Sequence, residues 1–235
     1  MKVVILAGGF GLRFLEETRL IPKPMIKIGN KPIIWHLIKY FYYFGLREFI
    51  IAGGYKFKII SNYFSKNPIT DCKITVVNTG LKTMTGGRLK KLEKFINCES
   101  FIMTYGDGLS NVNIQKLIKF HKFSKKILTV TAVNPPARWG SLKIKGTLVH
   151  SFAEKSQIAE GRINGGFFVL KKDIFKYIQN DDQTIFESDT IPSLIKKKIV
   201  NAYLHDGFWQ CMDNLRERNI LNNLWYKRKA PWKVW

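Results

Sequence analysis

The sequence predicts an α/β fold in which a central, mostly parallel sheet is flanked by helices. Short apolar runs rich in β-forming residues alternate with segments whose apolar residues recur at helical spacing. The first run, Lys2–Ala7, is apolar from Val3 onward, as expected of a strand that is covered on both faces. In the second half of the chain strand-like runs follow one another closely. Part of the sheet is therefore expected to be mixed or antiparallel.

The predicted strands are runs of β-branched and aromatic residues bounded by turn residues. In the first half they are residues 2–7, 48–52, 74–77, 101–105 and 128–133, and in the second half residues 141–144, 148–153 and 165–170.

Helices are predicted at residues 31–44, 88–96, 114–123 and 213–226 from apolar stripes at helical spacing. Asn30 is the expected cap of the first helix, with Pro32 in its first turn and Gly45 as its stop. Asp213 precedes the last apolar stripe and is a candidate cap for that helix.

Length and composition favour one globular domain. The chain has 235 residues, 46% of them hydrophobic, and shows no repeat or linker. Its apolar runs are far shorter than the roughly 20 residues of a membrane-spanning helix, and its N-terminus lacks the pattern of a signal peptide. Three scattered cysteines, Cys72, Cys98 and Cys211, are expected to be reduced thiols. We therefore expect a cytoplasmic protein without a membrane partner.

The formal net charge of +22 permits two interpretations. One is a polyanionic partner such as nucleic acid. The other is a lysine-rich surface that favours phosphate-bearing substrates. Lysines form only short clusters, at 90–91, 125–126 and 196–198, and no long basic tail is present. The second interpretation is favoured and no nucleic-acid partner is expected, although a basic nucleic-acid-binding domain remains an open alternative.

A glycine-rich loop, residues 8–13, follows the first predicted strand directly. Glycines allow backbone N–H groups to approach an anion closely. A dinucleotide-binding loop would continue to a third glycine, but Phe14 stands there, and Asn30 and Lys31 occupy the place of its acidic residue about 20 residues on. The Gly-Lys-Ser/Thr of a Walker A loop is absent too. Residues 22–25, Pro-Lys-Pro-Met, are a device for presenting a fixed cation.

Two motifs together carry a family resemblance. Residues 6–13 (Leu-Ala-Gly-Gly-Phe-Gly-Leu-Arg) and 22–25 resemble the signature of the sugar nucleotidyltransferase, or nucleotide-sugar pyrophosphorylase, family. Further segments are similar to the branch that transfers a cytidylyl group, and the similarity is collinear over nearly the whole chain: residues 84–90, 104–108, 164–170, 207–213 and 230–235. The resemblance implies the Rossmann-like nucleotide-diphospho-sugar transferase fold, with a nucleotide-binding part at about 1–135 and a sugar-phosphate-facing part at about 136–235.

Two aspartates are candidate metal ligands. Asp107 ends an apolar strand between Gly106 and Gly108, and Asp213 follows an aromatic segment. Carboxylate oxygens suit Mg²⁺, although either residue alone could be a turn or cap residue. The resemblance implies that both hold Mg²⁺.

The reaction that the resemblance implies joins CTP and glucose 1-phosphate to give CDP-glucose and pyrophosphate, for deoxysugars of surface polysaccharides. Arg13 and Lys23 would bind the phosphates. The attacking phosphate is already ionised, so no general base is needed, and the four histidines are interpreted as structural: His36, His121, His150 and His205.

The resemblance assigns three sets of site residues. The catalytic set is Arg13, Lys23, Asp107 and Asp213. The nucleotide-binding set adds Leu6, Ala7, Gly8, Gly9, Phe10, Gly11, Leu12, Thr83, Thr85, Gly86, Gly87, Arg88 and Gly106. The sugar-phosphate-binding set is Gly140, Glu154, Lys155, Asn164 and Gly165.

Two departures from the family pattern affect the expectations. Ser156 stands where the family has proline, which bears on the placement of Lys155, and the stretch 65–74 is shorter than in the cytidylyl branch, which bears on any oligomer contact built there. A homo-oligomer stays open. The alternatives are transfer from UTP or dTTP, a different sugar 1-phosphate, or a sensor of nucleotide or sugar without catalysis. The glutamine-bearing segment of the thymidylyl and uridylyl branches is absent near Thr83–Arg88.

Overall fold

The computed structural model describes residues 1–136, 141–145, 147–153 and 161–235, and for 141–144 and 151–153 it describes the backbone alone. Strands in these residues are β1 (Lys2–Ala7), β2 (Lys27–Ile28), β3 (Lys31–Pro32), β4 (Glu48–Gly53), β5 (Lys73–Asn78), β6 (Ser100–Tyr105), β7 (Gly108–Ser110), β8 (Leu128–Val133), β9 (Ser141–Lys145), β10 (Leu148–Ala153), β11 (Ile163–Lys171), β12 (Val200–His205) and β13 (Trp209–Cys211).

Helices in the same residues are α1 (Leu15–Thr18), α2 (Ile33–Tyr43), α3 (Phe57–Lys66), α4 (Thr85–Lys91), α5 (Ile114–Ser124), α6 (Ile191–Lys196) and α7 (Leu215–Tyr226). Short 3-10 turns lie at Leu12–Phe14, Lys23–Met25, Glu93–Phe95 and Lys172–Lys176, and a π-helical turn at Phe186–Thr190 leads into α6. None of the helices described is long and apolar enough to cross a membrane.

Seven strands form one central sheet in the order β12-β8-β11-β6-β1-β4-β5. The pairs β6–β1, β1–β4, β4–β5 and β12–β8 are parallel, whereas β11 runs antiparallel to both β6 and β8. The predicted mixed, mostly parallel sheet is confirmed. Strands of the second half of the chain thus extend the sheet begun by the first half.

The sheet is covered by apolar side chains on both faces. In β1, Val3, Ile5 and Ala7 pack into one cluster, while Val4 and Leu6 pack into the other. This alternation follows from the two-residue period of a strand. The first cluster takes its helical residues mainly from α2, α3, α5 and α7, and the second mainly from α4 and α6.

The predicted start of the first helix is wrong by two residues. α2 begins at Ile33, and Asn30 does not cap it, because Lys31–Pro32 pairs with Lys27–Ile28 as a small antiparallel ladder. A residue that precedes proline is driven toward extended backbone, which favours this ladder over an earlier helical turn. Gly45 does end the helix, with φ of 87° and its N–H bonded to the carbonyl of Tyr42.

Two further predicted boundaries differ. The helix predicted at 88–96 is α4, which begins at Thr85 and is followed by the separate turn Glu93–Phe95. The last helix begins at Leu215, and Asn214 rather than Asp213 is its cap, accepting from the N–H of Glu217 at 3.0 Å. The edge strand β12 was not predicted, because Val-Asn-Ala-Tyr-Leu-His lacks a continuous apolar run.

A tryptophan-lined pocket holds His36 of α2 in its neutral form. Its Nε2–H donates to the carbonyl of Ile28 at 2.9 Å, and its Nδ1 accepts from the indole of Trp232 at 3.4 Å. The Trp225 ring lies edge-on at 4.6 Å between centroids. Burial lowers the pKa of His36 from 6.5 to about 4, against the opposing effect of the carbonyl acceptors. The structural role expected of this histidine agrees with these contacts.

We expect the free energy of unfolding to fall as the pH is lowered from 7 to 5. Between pH 6.5 and about 4 the unfolded chain binds a proton at His36 that the folded chain does not, which costs about 2 kcal/mol at pH 5. Buried His121, with its pKa also lowered to about 4 by burial, acts in the same direction. Urea unfolding at pH 7, 6 and 5 measures the effect.

His36→Gln should reduce this pH dependence to the part that His121 contributes, and His150→Gln, at an exposed position, is the matched control. Stability that is constant or rises on acidification to pH 5 would contradict the neutral, caged imidazole.

Candidate functional site

A cleft of about 720 Å³ opens at the carboxyl ends of β1 and β6. Its walls are the glycine-rich loop after β1, the turn before α4, the end of β6 with Asp107, residues 164–166 of β11, and the segment around β13. In open α/β sheets, ligands bind beyond the carboxyl ends of the strands. All the predicted nucleotide-binding and catalytic residues line this cleft except Gly86 and Gly87.

The glycine loop needs at least two of its glycines. A Cβ on Gly8 would lie 2.2 Å from the guanidinium of Arg88, so this position requires the absence of a side chain. Gly11 has φ of 68°, and a Cβ there would lie 2.8 Å from Thr18. The loop is therefore built for a close backbone path along the cleft.

A cluster of charges formed by Arg13, Lys23, Asp107 and Asp213 lines the cleft. The Nζ of Lys23 donates to the Asp107 carboxylate at 2.6 Å and also to Asp213, whose second oxygen accepts from the Arg13 guanidinium at 2.5 Å. Burial opposes the charge of Lys23, but Asp107 and Asp213 outweigh it and hold the pKa of this ammonium above its ordinary value. Lys23 is buried, whereas the Arg13 side chain is largely exposed, so only Arg13 has room to move.

The two aspartates, Asp107 and Asp213, are brought together because the strands next to them, β7 and β13, pair with each other. β7 and β13 form an antiparallel ladder in which Cys211 lies opposite Gly108, and the N–H of Met212 donates to the carbonyl of Asp107 at 2.9 Å. Since Asn214 caps α7, the Asp213 side chain is left for the cations of the cluster. The backbone N–H of Asp213 is held by Glu217 at 2.5 Å, which completes a variant of the capping box.

Cys211 lies beside these carboxylates. A ligand atom from each of Cys211, Asp213 and Glu217 falls within 4.8 Å of the others, a geometry that could hold a metal ion. Burial raises the pKa of the Cys211 thiol to about 12, and the nearby Asp213 and Glu217 add to this. Mg²⁺ prefers hard oxygen ligands to sulfur, so the carboxylates of Asp107 and Asp213 remain the better candidates for such an ion.

Arg88 is used by the protein itself. Its guanidinium donates to the carbonyls of Gly8 at 2.9 Å and Gly80 at 2.7 Å and to the Thr79 hydroxyl at 2.7 Å, with longer bonds to the carbonyls of Gly53 and Leu81. Burial lowers its pKa from the ordinary arginine value, against the attraction of Asp182. Its terminal nitrogens hold the loops that follow β1 and β5 against the end of β4. Arg88 also lines the cleft, and the nucleotide contact expected of it stays a prediction.

The turn predicted to bind nucleotide, residues 83–88, is hydrogen-bonded to residues 181–187. The N–H of Met84 donates to the carbonyl of Asp182 at 2.7 Å, and that of Gly87 to the carbonyl of Thr184 at 3.1 Å. Gly86 and Gly87 were expected to contact nucleotide, but both are buried against this segment, where a Cβ on Gly86 would lie 2.7 Å from the Thr184 side chain. Their side-chain-free surface serves packing between segments rather than the cleft wall.

Of the predicted sugar-facing residues, Asn164 and Gly165 line the cleft. The Asn164 amide oxygen accepts from the N–H of Gly166 at 2.8 Å, and the Gly165 carbonyl accepts from the indole of Trp209 at 2.7 Å. The other three expected sugar-facing residues lie outside the described residues: Gly140, Glu154 and Lys155.

Several residues that line the cleft were not predicted from the sequence. Glu187, Tyr105, Trp209 and Cys211 all line the cleft, as do Leu81, Lys82, Pro24, Met84, Thr104, Gly108 and Gly166. Trp209 and Cys211 lie in the aromatic segment before Asp213, so their nearness to a proposed metal ligand was an available signal. Glu187 had none, because it reaches the cleft only through the pairing of distant segments.

We expect Arg88→Met to destabilise the protein by about 3 kcal/mol or more, since it removes all the hydrogen bonds that one buried guanidinium donates to Thr79 and to the backbone of the surrounding loops. Arg88→Lys, which keeps a charge but fewer donors, should be intermediate. Urea unfolding at pH 7 measures both. A methionine variant as stable as the parent would show that these hydrogen bonds do not hold the loops together.

Comparison with known proteins places this site in a family. The family model Nucleotidyl transferase matches residues 2–214. The glucose-1-phosphate cytidylyltransferase of Salmonella typhimurium is 42% identical, and the probable glucose-1-phosphate cytidylyltransferase of Bacillus subtilis 38% identical, each over 100% of both chains. The structure of HddC from Yersinia pseudotuberculosis complexed with GMP-PN has a TM-score of 0.77 and 27% identity, covering 95% of this chain and 99% of that one.

The alignment with the Salmonella protein spans 257 positions against the 235 residues of this chain, which leaves 22 positions without a counterpart here. The connection expected to be short is indeed brief in this structure, since α3 ends at Lys66 and β5 begins at Lys73. The family resemblance read from the motifs is confirmed by these matches. The chain belongs to the nucleotidyl transferase family.

Proposed function

We propose that this protein transfers a cytidylyl group from CTP to glucose 1-phosphate and so produces CDP-glucose and pyrophosphate. The observation that carries the proposal is the 42% identity to the Salmonella glucose-1-phosphate cytidylyltransferase over the full length of both chains. The cleft supports it, because one continuous groove joins the glycine loop, the charge cluster and the β11 residues Asn164 and Gly165. We further propose that CDP-glucose made here supplies deoxysugar synthesis for surface polysaccharides.

In the proposed reaction an oxygen of the sugar phosphate attacks the α-phosphorus of CTP. A new P–O bond forms there, the bond to the β-phosphate oxygen breaks, and pyrophosphate leaves. The protein needs to supply position and charge rather than a covalent partner. Lys23, held rigidly between Pro22 and Pro24, presents a fixed positive charge, and the exposed Arg13 can turn its planar donors toward the leaving phosphates.

Members of this family generally use a divalent metal ion, and we propose that here it is Mg²⁺ held by Asp107 and Asp213. The donor set fits: a carboxylate from the turn between β6 and β7 and another from the segment between β13 and α7 converge on one ammonium, at a place that already attracts positive charge. When bound, Mg²⁺ would neutralise negative charge on the phosphate oxygens.

The two substrates are proposed to lie on opposite sides of the charge cluster. The nucleotide occupies the side of the glycine loop and of the turn Thr83–Arg88. The sugar phosphate lies toward Asn164 and Gly165, with Glu154 and Lys155 as proposed contacts. A base pocket that satisfies the polar groups of cytosine rejects a base whose polar groups it leaves unpaired.

We expect CTP to be the preferred nucleotide in a panel of CTP, UTP, dTTP, ATP and GTP with glucose 1-phosphate and Mg²⁺. Initial rates of pyrophosphate release give kcat/KM for each. GTP belongs in the panel because the structural relative HddC was solved with a guanine nucleotide analogue. Release with UTP, dTTP or GTP but none with CTP would refute the base assignment, and a panel repeated with other sugar 1-phosphates would refute or support the sugar.

We expect Asp107→Asn to lower kcat by about 100-fold or more while the protein stays folded, because it removes a charged oxygen that acts in the transition state. Electron paramagnetic resonance should show weaker Mn²⁺ binding in the presence of CTP. Asp173→Asn is the matched control, since that aspartate forms an exposed pair with Lys176. An Asp107→Asn variant with near-parental kcat and Mn²⁺ affinity would exclude Asp107 as a metal ligand.

A further inference from the structure

Glu187 is a carboxylate on the cleft wall to which the proposed reaction gives no part. It lies on the π-helical turn Phe186–Thr190, an unusual backbone form often found at functional sites. Both of its oxygens are engaged. One accepts from the hydroxyl of Tyr105, and the other accepts from the hydroxyl of Thr85 at 2.6 Å.

Through Tyr105, Glu187 is connected to the charge cluster and to β11. Tyr105 is the last residue of β6, two residues before Asp107. A Cβ on Gly166 would lie 2.7 Å from its ring, so the ring packs directly on β11.

The Thr85 side leads to the nucleotide turn. Thr85 is the first residue of α4, and its hydroxyl both donates to Glu187 and accepts from the N–H of Phe186 at 2.9 Å. The hydroxyl is thus fully engaged with the segment that carries Glu187. Together with the backbone bonds from Met84 and Gly87 to this segment, it fixes where the turn stands.

We propose that Glu187 is a positioning residue that sets the nucleotide turn against the strand end carrying Asp107 and against β11. This inference rests on the proposed function and deepens it. One carboxylate bridges segments that must hold the nucleotide, the metal ligand and the sugar in register. A misplacement of about 1 Å in such a site can cost on the order of 100-fold in rate.

The charge of Glu187 makes this role distinguishable from an electrostatic one. A carboxylate beside anionic phosphates repels them, so a purely electrostatic effect predicts faster turnover or tighter CTP binding after its removal. Positioning predicts the reverse for Glu187→Ala. Glu187→Gln should restore most of the function, because its amide can still bond both hydroxyls after one of them rotates.

The test compares Glu187→Ala, Glu187→Gln and the control Asp189→Asn, which changes an exposed carboxylate on the same turn. We expect kcat to fall about 10- to 100-fold in the alanine variant, with KM for CTP and for glucose 1-phosphate within about threefold of the parent. The kcat of the glutamine variant should lie within about fivefold of the parental value, and the kcat of the Asp189→Asn control should equal that of the parent.

Hydrogen–deuterium exchange provides a readout independent of turnover. The alanine variant should exchange faster at residues 83–91 and 104–107, and the Asp189→Asn control should not. Parental kcat and exchange in the alanine variant, even with a lower Tm, would reduce Glu187 to a structural residue and overturn the proposal. A selective rise in the KM for glucose 1-phosphate without rescue by glutamine would also overturn it, in favour of a direct sugar contact.

The parent protein is measured alongside the variants, which separates the two hypotheses. If the parent prefers another nucleotide to CTP, the proposed function fails, and the same kcat ratios are measured with that nucleotide. If the parent turns over no nucleotide, the exchange rates of the two segments alone decide the role of Glu187.

Discussion

The ammonium of Lys23 between Asp107 and Asp213 is the interaction on which the cleft depends. Two carboxylates brought close together repel each other, and a buried cation between them turns that repulsion into attraction. Removing Lys23 would leave two carboxylates close together without a buried cation between them, which is strongly destabilising. The cluster therefore ties together the Pro-Lys-Pro-Met turn, the end of β6 and the segment between β13 and α7.

The surrounding fold leaves the charged side chains of the cluster facing one another and the cleft. The β7–β13 ladder brings the two aspartates side by side, and capping by Asn214 leaves the Asp213 carboxylate to face Lys23 and Arg13. Arg88 performs a different task with the same kind of side chain, because its donors are taken up by backbone carbonyls behind the glycine loop. One arginine is thus exposed in the cleft, where we propose that it meets substrate phosphates, while the other stabilises the glycine loop.

The sequence was sufficient where local signals and fold agreed. The apolar run of β1, its glycine loop and the strand β6 that precedes Asp107 follow from residue pattern alone, because a buried strand and a close backbone turn each demand particular residue types. It was insufficient where distant segments decide the local structure. Pro32 entered a ladder instead of a helix, and Gly86 and Gly87 serve packing against residues 181–187. Glu187 was missed since its partners Tyr105 and Thr85 are joined only by the fold.

In the proposed transfer the sugar phosphate attacks the α-phosphorus directly, with no covalent protein intermediate. The stereochemistry at that phosphorus distinguishes one displacement from two. CTP made chiral by a sulfur at the α-position is incubated with glucose 1-phosphate and Mg²⁺, and ³¹P NMR identifies the configuration of the CDP-glucose product. A single in-line displacement predicts inversion. Retention, which requires two displacements through a protein nucleophile, or the absence of CDP-glucose among the products, would exclude direct cytidylyl transfer to glucose 1-phosphate.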